Sequence, residues 1–170
     1  MRFRHCPDCG AILSARNLGD ERDVPWCDKC GKPWFEMFST CVIGLVCNSR
    51  NEVLLQRQGY ISTKYMNLVS GYMKPGETAE GTMRREIEEE TGLEVESLRY
   101  AGSWWFARKD MLMLGFIAKV HDGEPHPSVE VDSAEWHTAA DAVGLVHPEG
   151  SVSHALCDLY FKSVLSFKSN

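Results

Sequence analysis

The apolar residues of this chain occur in short runs of strand length, separated by polar stretches that favour turns. The run CVIGLVC at 41–47 and the run EVLLQR at 52–57 flank the turn-forming stretch 48–51. Two such runs joined by a short polar turn are typical of a β-hairpin, which we predict here. Further strands are expected at 65–70, 98–106, 111–120 and 130–137.

Two other segments carry the spacing of helices. In the first, Thr78 can cap a helix over 79–91, and Gly92 stands where a helix would end in a left-handed turn. In the second, 151–167, apolar residues at helical spacing predict a stripe that covers the sheet. A shorter helical turn is expected at 141–143.

The first predicted helix has an acidic face. At 100° per residue, Glu86, Glu89 and Glu90 fall within an arc of about 100°. Like charges at this spacing repel, which costs roughly a few tenths of a kcal/mol per pair. A divalent cation would reverse that cost, because Mg²⁺ binds carboxylates together with substrate phosphates. The alternative is a solvated acidic face with Arg84 and Arg85 as local partners.

Four of the seven cysteines form two C-x-x-C-G motifs, at 6–10 and 27–31. Two tight turns that present four thiolates to one point are typical of a structural, tetrahedral Zn²⁺ site with no open position. The expected ligands are Cys6, Cys9, Cys27 and Cys30. A segment this small buries little apolar area, so the metal would supply much of its folding free energy. The alternatives are unligated thiols and redox pairs.

The composition is that of a globular protein with one main domain and room for a small accessory module: 170 residues, 44% hydrophobic and 25% charged. The net charge of −6 gives no electrostatic footprint for nucleic acid, and the stretch 6–30 is itself acidic. Small phosphate substrates stay possible, since a metal site supplies local positive charge. Without an apolar run of membrane-spanning length or a signal-peptide core, the expected location is cytoplasmic.

Residues 71–93, GYMKPGETAEGTMRREIEEETGL, match the pattern G-x5-E-x7-R-E-U-x-E-E-x-G-U, with U aliphatic, at every specified position. The chain therefore resembles the Nudix hydrolases, and the order of its motifs is similar to that of their zinc-ribbon NADH pyrophosphatase branch. The resemblance implies an α/β/α sandwich around a mixed sheet. The implied division is a zinc ribbon over 1–35 and a Nudix domain over 36–170.

The resemblance also implies a site for Mg²⁺ or Mn²⁺. Glu86 and Glu90 would be metal ligands, together with the main-chain carbonyl of Ser70 and with Glu130 from the later strand. Glu89 would be a further ligand or the base that orients water. Glu77 and Arg85 would form an internal ion pair that, with Gly71 and Gly92, maintains the shape of the motif.

The family's substrates are nucleoside diphosphates linked to another moiety, which are hydrolysed to two monophosphates; for NADH these would be AMP and reduced nicotinamide mononucleotide. A substrate-binding set of Phe35, Ser103, Trp104, Trp105 and Phe106 would follow from the resemblance. The family's SQPWPFPxS motif, however, appears here as SWWFARKDM over 103–111, where only the serine keeps its place. Its aromatic residues could stack on a base or fill the core.

Three functions are therefore open. The leading hypothesis is hydrolysis of NAD(H) or a related dinucleotide, and the second is hydrolysis of ADP-ribose, a nucleotide sugar or an oxidised nucleotide. The third is a ligand sensor without turnover; such regulators commonly lose glutamates of the motif, and none is lost here. The resemblance further implies a homodimer. The family usually carries an additional domain ahead of the ribbon, where this sequence has five residues before Cys6.

Overall fold

The computed structural model describes residues 3–168. The chain divides into two compact units, Met1–Ser39 and Thr40–Asn170. The predicted boundary, between residues 35 and 36, lies four residues ahead of this division. Each unit has its own sheet.

The smaller unit is a three-stranded antiparallel sheet in the order β1-β2-β3. Its strands are β1 (Ser14–Leu18), β2 (Glu21–Cys27) and β3 (Lys32–Pro33). Gly10 and Gly31, which follow the two cysteine pairs, have φ values of 73° and 68°. A left-handed residue at these positions turns the chain sharply, so each cysteine pair stays in one tight turn.

The larger unit is built on a six-stranded sheet in the order β7-β8-β4-β5-β9, with β6 beside β4. Its strands are β4 (Ser39–Cys47), β5 (Glu52–Arg57), β6 (Val69–Tyr72), β7 (Val95–Phe106), β8 (Met111–Val120) and β9 (Ser133–Thr138). β5 pairs with the C-terminal end of β4 and β6 with its N-terminal half. The hairpin of β4 and β5 predicted from the sequence is confirmed.

Helices cover both faces of this sheet. They are α1 (Ala79–Thr91), α2 (Ala139–Leu145) and α3 (Val152–Lys168), with a 3-10 turn at Ala107–Lys109. One core cluster joins β4 and β5 to α1 through Met83 and Ile87, and the other joins the same strands to α3 through Leu156 and Tyr160. The fold is the expected mixed α/β sandwich. None of the described helices is long and apolar enough to cross a membrane.

The ends of α1 lie where the sequence places them. The Thr78 hydroxyl accepts a hydrogen bond from the Gly81 N–H, an interaction that contributes about 1 kcal/mol at a helix N-terminus. At the other end Gly92 has a φ of 68°, and its N–H donates to the carbonyl of Glu88. Both boundaries predicted for this helix are confirmed.

Other boundaries differ from the prediction. β6 begins only at Val69, since Met66 and Asn67 make single isolated bridges. β9 begins at Ser133, not at 130, because the preceding residues form a turn in which the Val131 N–H donates to the Ser128 carbonyl. α2 is a full seven-residue helix, capped by Thr138.

Glu77 fastens the loop before α1 to the helix itself. Its carboxylate accepts hydrogen bonds from the Lys74 N–H at 2.8 Å and the Thr82 hydroxyl at 2.9 Å. It also accepts hydrogen bonds from Arg85 Nε at 2.7 Å and from Arg85 Nη2 at 3.1 Å. Arg85 is the main cause that lowers the pKa of Glu77 to about 2, and the Lys74 N–H adds to it. The expected ion pair is thus present, with two neutral donors beside it.

This arrangement predicts an acid-sensitive contribution to stability. The Glu77 pKa is lower in the folded than in the unfolded chain, so its stabilisation is complete above the ordinary value of 4.5 and is lost as the pH falls toward 2. Glu77→Gln should lower the free energy of unfolding at pH 7, and its difference from the wild type should shrink between pH 4.5 and 3. Urea denaturation at several pH values measures this.

The matched control is Glu80→Gln, an exposed carboxylate in the first turn of the same helix. At pH 7 its free energy of unfolding should differ from that of the wild type by less than that of Glu77→Gln, because the Glu80 side chain is exposed. A Glu77→Gln difference that is the same at pH 7 and pH 3 would show that the ionised form of Glu77 does not stabilise the fold.

Candidate functional site

Four carboxylates of the larger unit meet at one small cavity. Glu86, Glu89 and Glu90 come from α1, and Glu130 comes from the turn before β9. The cavity has a volume of about 170 Å³, and Ser128 and Val129 complete its lining. The sequence predicted this set of acidic residues, although Glu130 was expected on a strand and lies in a turn.

Glu90 is the least accessible of these four carboxylates, with 6% of the residue exposed. Burial raises the pKa of its carboxyl to about 7; the Gln56 side chain opposes this rise, while the charges of Glu86 and Glu130 add to it. Its Oε2 has no hydrogen-bond partner among the described residues. A buried carboxylate beside three others needs either a proton or a cation, so the donor set fits a hard divalent cation.

Glu86 lies directly against the strand that precedes the helix. Burial raises the pKa of its carboxyl, and the neighbouring Arg85 opposes that rise. A Cβ built at Gly71 of β6 would overlap the Glu86 carboxyl group. Glycine at this position therefore lets Glu86 approach the backbone beside Ser70, whose carbonyl is the main-chain group expected at the site.

Arg85 orients two of the acidic residues. Its Nη1 lies 2.7 Å from Glu86 Oε1 and 2.8 Å from Glu89 Oε2, while the rest of its guanidinium binds Glu77. One fixed cation therefore partly offsets the repulsion on the acidic face. Arg84, in contrast, points away and donates to the Val95 carbonyl.

The turn that carries Glu130 is held to the C-terminal end of α1 by main-chain hydrogen bonds. The His126 N–H donates to the Thr91 carbonyl at 2.7 Å, and the Ser128 N–H donates to the Glu90 carbonyl at 3.2 Å. These bonds occupy carbonyls that the end of a helix leaves without partners. They also bring Glu130, 40 residues from Glu90 in the chain, to the same cavity.

Two buried amides near Glu90 were not predicted. Gln56 is fully buried in β5, and Asn67 is 7% exposed in the segment before β6. The sequence carried one signal for Gln56. It follows the apolar part of a predicted strand, at a position where the alternation of side chains predicts another core residue. Asn67 had no comparable signal, because its burial depends on pairing with Gln56 from a separate segment of the chain.

The residues of β7 suggested for substrate binding do not share one face of the sheet. Trp104 is partly buried and packs on Gly115 and Leu156, on the side of the sheet that α3 covers. Ser103 and Trp105 are exposed in β7, and alternation along the strand directs them to the other side. Phe106 is partly buried on the Trp104 side, and Phe35 lies exposed in the smaller unit.

In the smaller unit the four paired cysteines form a compact cluster of sulfur atoms. All four Sγ atoms lie within 4.8 Å of one another, with 3.9 Å between Cys6 and Cys30 and 3.6 Å between Cys9 and Cys27. Tetrahedral bonds of about 2.3 Å to a central Zn²⁺ would place sulfurs about 3.8 Å apart. The cluster therefore has the spacing of a four-thiolate metal site.

The four thiols do not ionise alike. Burial raises the pKa of Cys27, and hydrogen bonding with the sulfurs of Cys9 and Cys27 raises the pKa of Cys30 to about 12. Burial opposes the ionisation of Cys6, but hydrogen bonds from the backbone of Cys9 and Asp8 outweigh it and lower its pKa to about 6. The Cys30 N–H lies 3.3 Å from the sulfur of Cys27 and donates to it. Thiolates are the forms that bind metals, so a metal bound here would displace the protons of Cys27 and Cys30.

Comparison with known proteins agrees with this geometry. Residues 37–156 match the family model described as the NUDIX domain. The chain is 32% identical over 171 residues to a Vibrio vulnificus protein named NAD-capped RNA hydrolase NudC. This alignment covers 100% of this chain and 62% of that protein. A Pseudomonas aeruginosa (strain LESB58) protein of the same name is 34% identical over 158 residues, covering 92% and 55%. The chain thus spans about three fifths of these curated relatives.

Solved structures give the same fold. A NUDIX hydrolase from Nitrosomonas europaea superposes with a TM-score of 0.67 at 22% identity, covering 86% of this chain and 85% of that one. The NUDIX domain of Shewanella oneidensis NrtR, solved with ADP ribose, gives 0.63 at 15% identity, covering 82% and 94%. Identities this low support the fold alone. With the family model matching most of the chain and every position of the 71–93 motif in place, this protein belongs to the Nudix family.

Proposed function

We propose that this protein is a divalent-cation-dependent hydrolase that cleaves the diphosphate of NAD(H), or of a related nucleoside diphosphate linked to another group, into two monophosphates. The observation that carries the proposal is the convergence of Glu86, Glu89, Glu90 and Glu130 on one cavity. The printed name of the relatives adds a candidate substrate, NAD at the end of an RNA chain. Its diphosphate is the same, so the same site would act on it.

The size of the cavity supports a site for the diphosphate rather than for a whole substrate. Its volume of about 170 Å³ is below the roughly 300 to 1,000 Å³ of pockets that enclose a drug-sized ligand. The two halves of a dinucleotide would therefore extend beyond the four carboxylates. Specificity would depend on residues outside this cavity.

We assign the residues of the site as follows. Glu86, Glu90, Glu130 and the Ser70 carbonyl would hold the cations, here Mg²⁺ or Mn²⁺. Bound divalent cations neutralise diphosphate charge and lower the pKa of water. Glu89, the exposed carboxylate that Arg85 orients at 2.8 Å, would accept the proton of the attacking water. Arg85 and Glu77 would keep this face of α1 in register with the preceding loop.

The substrate assignment is tested with a panel of NADH, NAD⁺, ADP-ribose, an oxidised nucleoside triphosphate and NAD-capped RNA, assayed with Mg²⁺ or Mn²⁺. Products identified by mass should be two monophosphates from NADH. Because the segment after Trp105 lacks the prolines that would fix a binding loop, kcat/KM for NADH should exceed that for ADP-ribose by no more than about tenfold, or about 1.4 kcal/mol.

Each other result in the panel would change the proposal in a definite way. A preference for NADH of 100-fold or more would show that this altered loop still recognises nicotinamide. Hydrolysis of ADP-ribose alone would support the second hypothesis. Binding without turnover on any member of the panel would support a ligand sensor.

The role of Glu90 as a metal ligand is tested by substitution. Glu90→Gln removes a ligand charge at nearly constant volume, so turnover at saturating Mg²⁺ should fall at least about 100-fold while the fold persists. Glu88→Gln is the matched control, since Glu88 is exposed on the same helix and does not line the cavity. Steady-state kinetics and thermal unfolding of both variants test this; more than a tenth of wild-type kcat in Glu90→Gln would remove Glu90 from the mechanism.

We also propose that the four-cysteine cluster holds a structural Zn²⁺. Four thiolates fill a tetrahedral coordination sphere, so no position is left for substrate or water. The spacing of the sulfurs supports this assignment. The homodimer implied by the sequence resemblance stays a prediction, which sedimentation of the purified chain would test.

Metal removal should separate the two kinds of site. Protein purified without chelator should contain about one zinc per chain and keep it in mild EDTA, whereas hydrolysis should stop in EDTA and return with Mg²⁺ or Mn²⁺. Cys9→Ser should lose zinc, and Cys157→Ala, a buried cysteine of the larger unit, should retain it. A zinc content well under half an atom per chain, measured by elemental analysis, would show that the four-cysteine cluster is not a structural zinc site.

A further inference from the structure

Gln56, Asn67 and Glu90 are three buried polar side chains, and four of their six polar atoms have no hydrogen-bond partner among the described residues. The atoms are Gln56 Nε2, Gln56 Oε1, Asn67 Nδ2 and Glu90 Oε2. Two are donors and two are acceptors. Buried polar groups are almost always paired, so four unpaired atoms in one region call for an explanation.

The backbone places the two amides side by side. The Gln56 N–H donates to the Asn67 carbonyl at 2.9 Å, and the Asn67 N–H donates to the Gln56 carbonyl at 2.8 Å. Residues that exchange both bonds in an antiparallel pair lie directly opposite each other, and their side chains project to the same face of the sheet. Gln56 and Asn67 therefore extend in the same direction.

That direction is toward α1. Leu54, two residues before Gln56, belongs to the core cluster that contains Met83 and Ile87 of the helix. Because side chains two residues apart in a strand share a face, Gln56 also points at α1. Glu90 follows Ile87 by three residues and so lies on the same side of the helix. The Gln56 amide is thus the neighbour of the Glu90 carboxyl.

An apolar side chain at position 56 would avoid the cost of burying an amide. Leu54 and Leu55 show that this part of β5 accommodates leucine. A buried amide that faces a buried carboxylate can, however, stabilise and orient the charged group through its N–H. Such partners of metal ligands affect the binding of the metal without touching it.

We propose that Gln56 is a positioning residue for Glu90, held in place by Asn67. In this arrangement Asn67 Nδ2 donates to Gln56 Oε1, and Gln56 Nε2 donates to Glu90 Oε2. The chain of two hydrogen bonds pairs all four atoms, each donor with one acceptor. It fixes the inner oxygen of Glu90 and leaves the outer oxygen directed at the cavity. The inference rests on the proposed function, in which Glu90 binds the catalytic cation.

The test measures Mn²⁺ binding directly, by electron paramagnetic resonance of free Mn²⁺ without substrate. Gln56→Met keeps the length of the side chain and removes both polar atoms. We expect it to remain folded and to bind Mn²⁺ about tenfold more weakly, or about 1.4 kcal/mol. The matched control is Gln58→Met: Gln58 is also buried, but its amide donates to the Tyr60 hydroxyl. Its Mn²⁺ affinity should equal that of the wild type.

A double-variant cycle tests the role of Asn67. Asn67→Leu should weaken Mn²⁺ binding, although Asn67 does not line the cavity. Because Asn67 acts through Gln56, the double variant should bind Mn²⁺ no more weakly than Gln56→Met alone. If Gln56→Met fails to fold, the Mn²⁺ affinity of Asn67→Leu alone tests the proposal. An affinity equal to that of the wild type would overturn it.

The outcomes separate this inference from the proposed function. A wild type that hydrolyses NADH and binds Mn²⁺ no better than Gln56→Met would overturn the role of Gln56 alone. A wild type that binds no Mn²⁺ and hydrolyses no member of the panel would overturn both. Loss of Mn²⁺ affinity in Gln58→Met equal to that in Gln56→Met would overturn the role of Gln56, because it would show a general effect of repacking this part of the chain.

Discussion

The structure of the larger unit depends on one electrostatic problem, the concentration of carboxylates at one side of a short helix. Glu86 and Glu90 are partly or fully withdrawn from water, and burial raises the pKa of both. Two neighbouring residues make this concentration of carboxylates possible. Arg85 supplies one fixed positive charge, and Gly71 leaves room for a carboxylate against the backbone. One arginine does not balance the negative charge of these carboxylates, and a divalent cation would neutralise the remainder.

The sheet holds this helix in place through two different kinds of contact. Apolar side chains of β4, β5 and β8 pack beneath α1, while hydrogen bonds at both of its ends tie it to loops. The loop before the helix is joined through the Glu77 side chain and the turn after it through main-chain groups. The acidic residues are therefore carried on a rigid element between two fixed loops, which suits a site that must keep its geometry.

Much of this was predictable from the sequence because the main functional residues lie on one helix. Positions 86, 89 and 90 share a face whatever the rest of the fold does, and the caps at Thr78 and Gly92 fix where that face begins and ends. The cysteine cluster was predictable for a similar reason, since each pair lies within one tight turn. Short-range spacing alone determines such groups.

The rest depended on contacts between distant segments. Glu130 reaches the cavity from a turn whose position is set by hydrogen bonds to the end of α1, so its strand assignment was wrong although its place at the cavity was anticipated. Gln56 and Asn67 meet through an isolated bridge between β5 and the segment before β6, and no local pattern specifies that pairing. Trp104 belongs to the core because Gly115 of the neighbouring strand leaves space for its ring.

The main-chain bonds that hold the turn beside α1 have one more consequence. They do not involve the side chain of Val129, which lines the cavity, so a substitution there would leave these bonds in place. The shape of the cavity could then be altered at this one position while Glu130 keeps its place beside the carboxylates of α1.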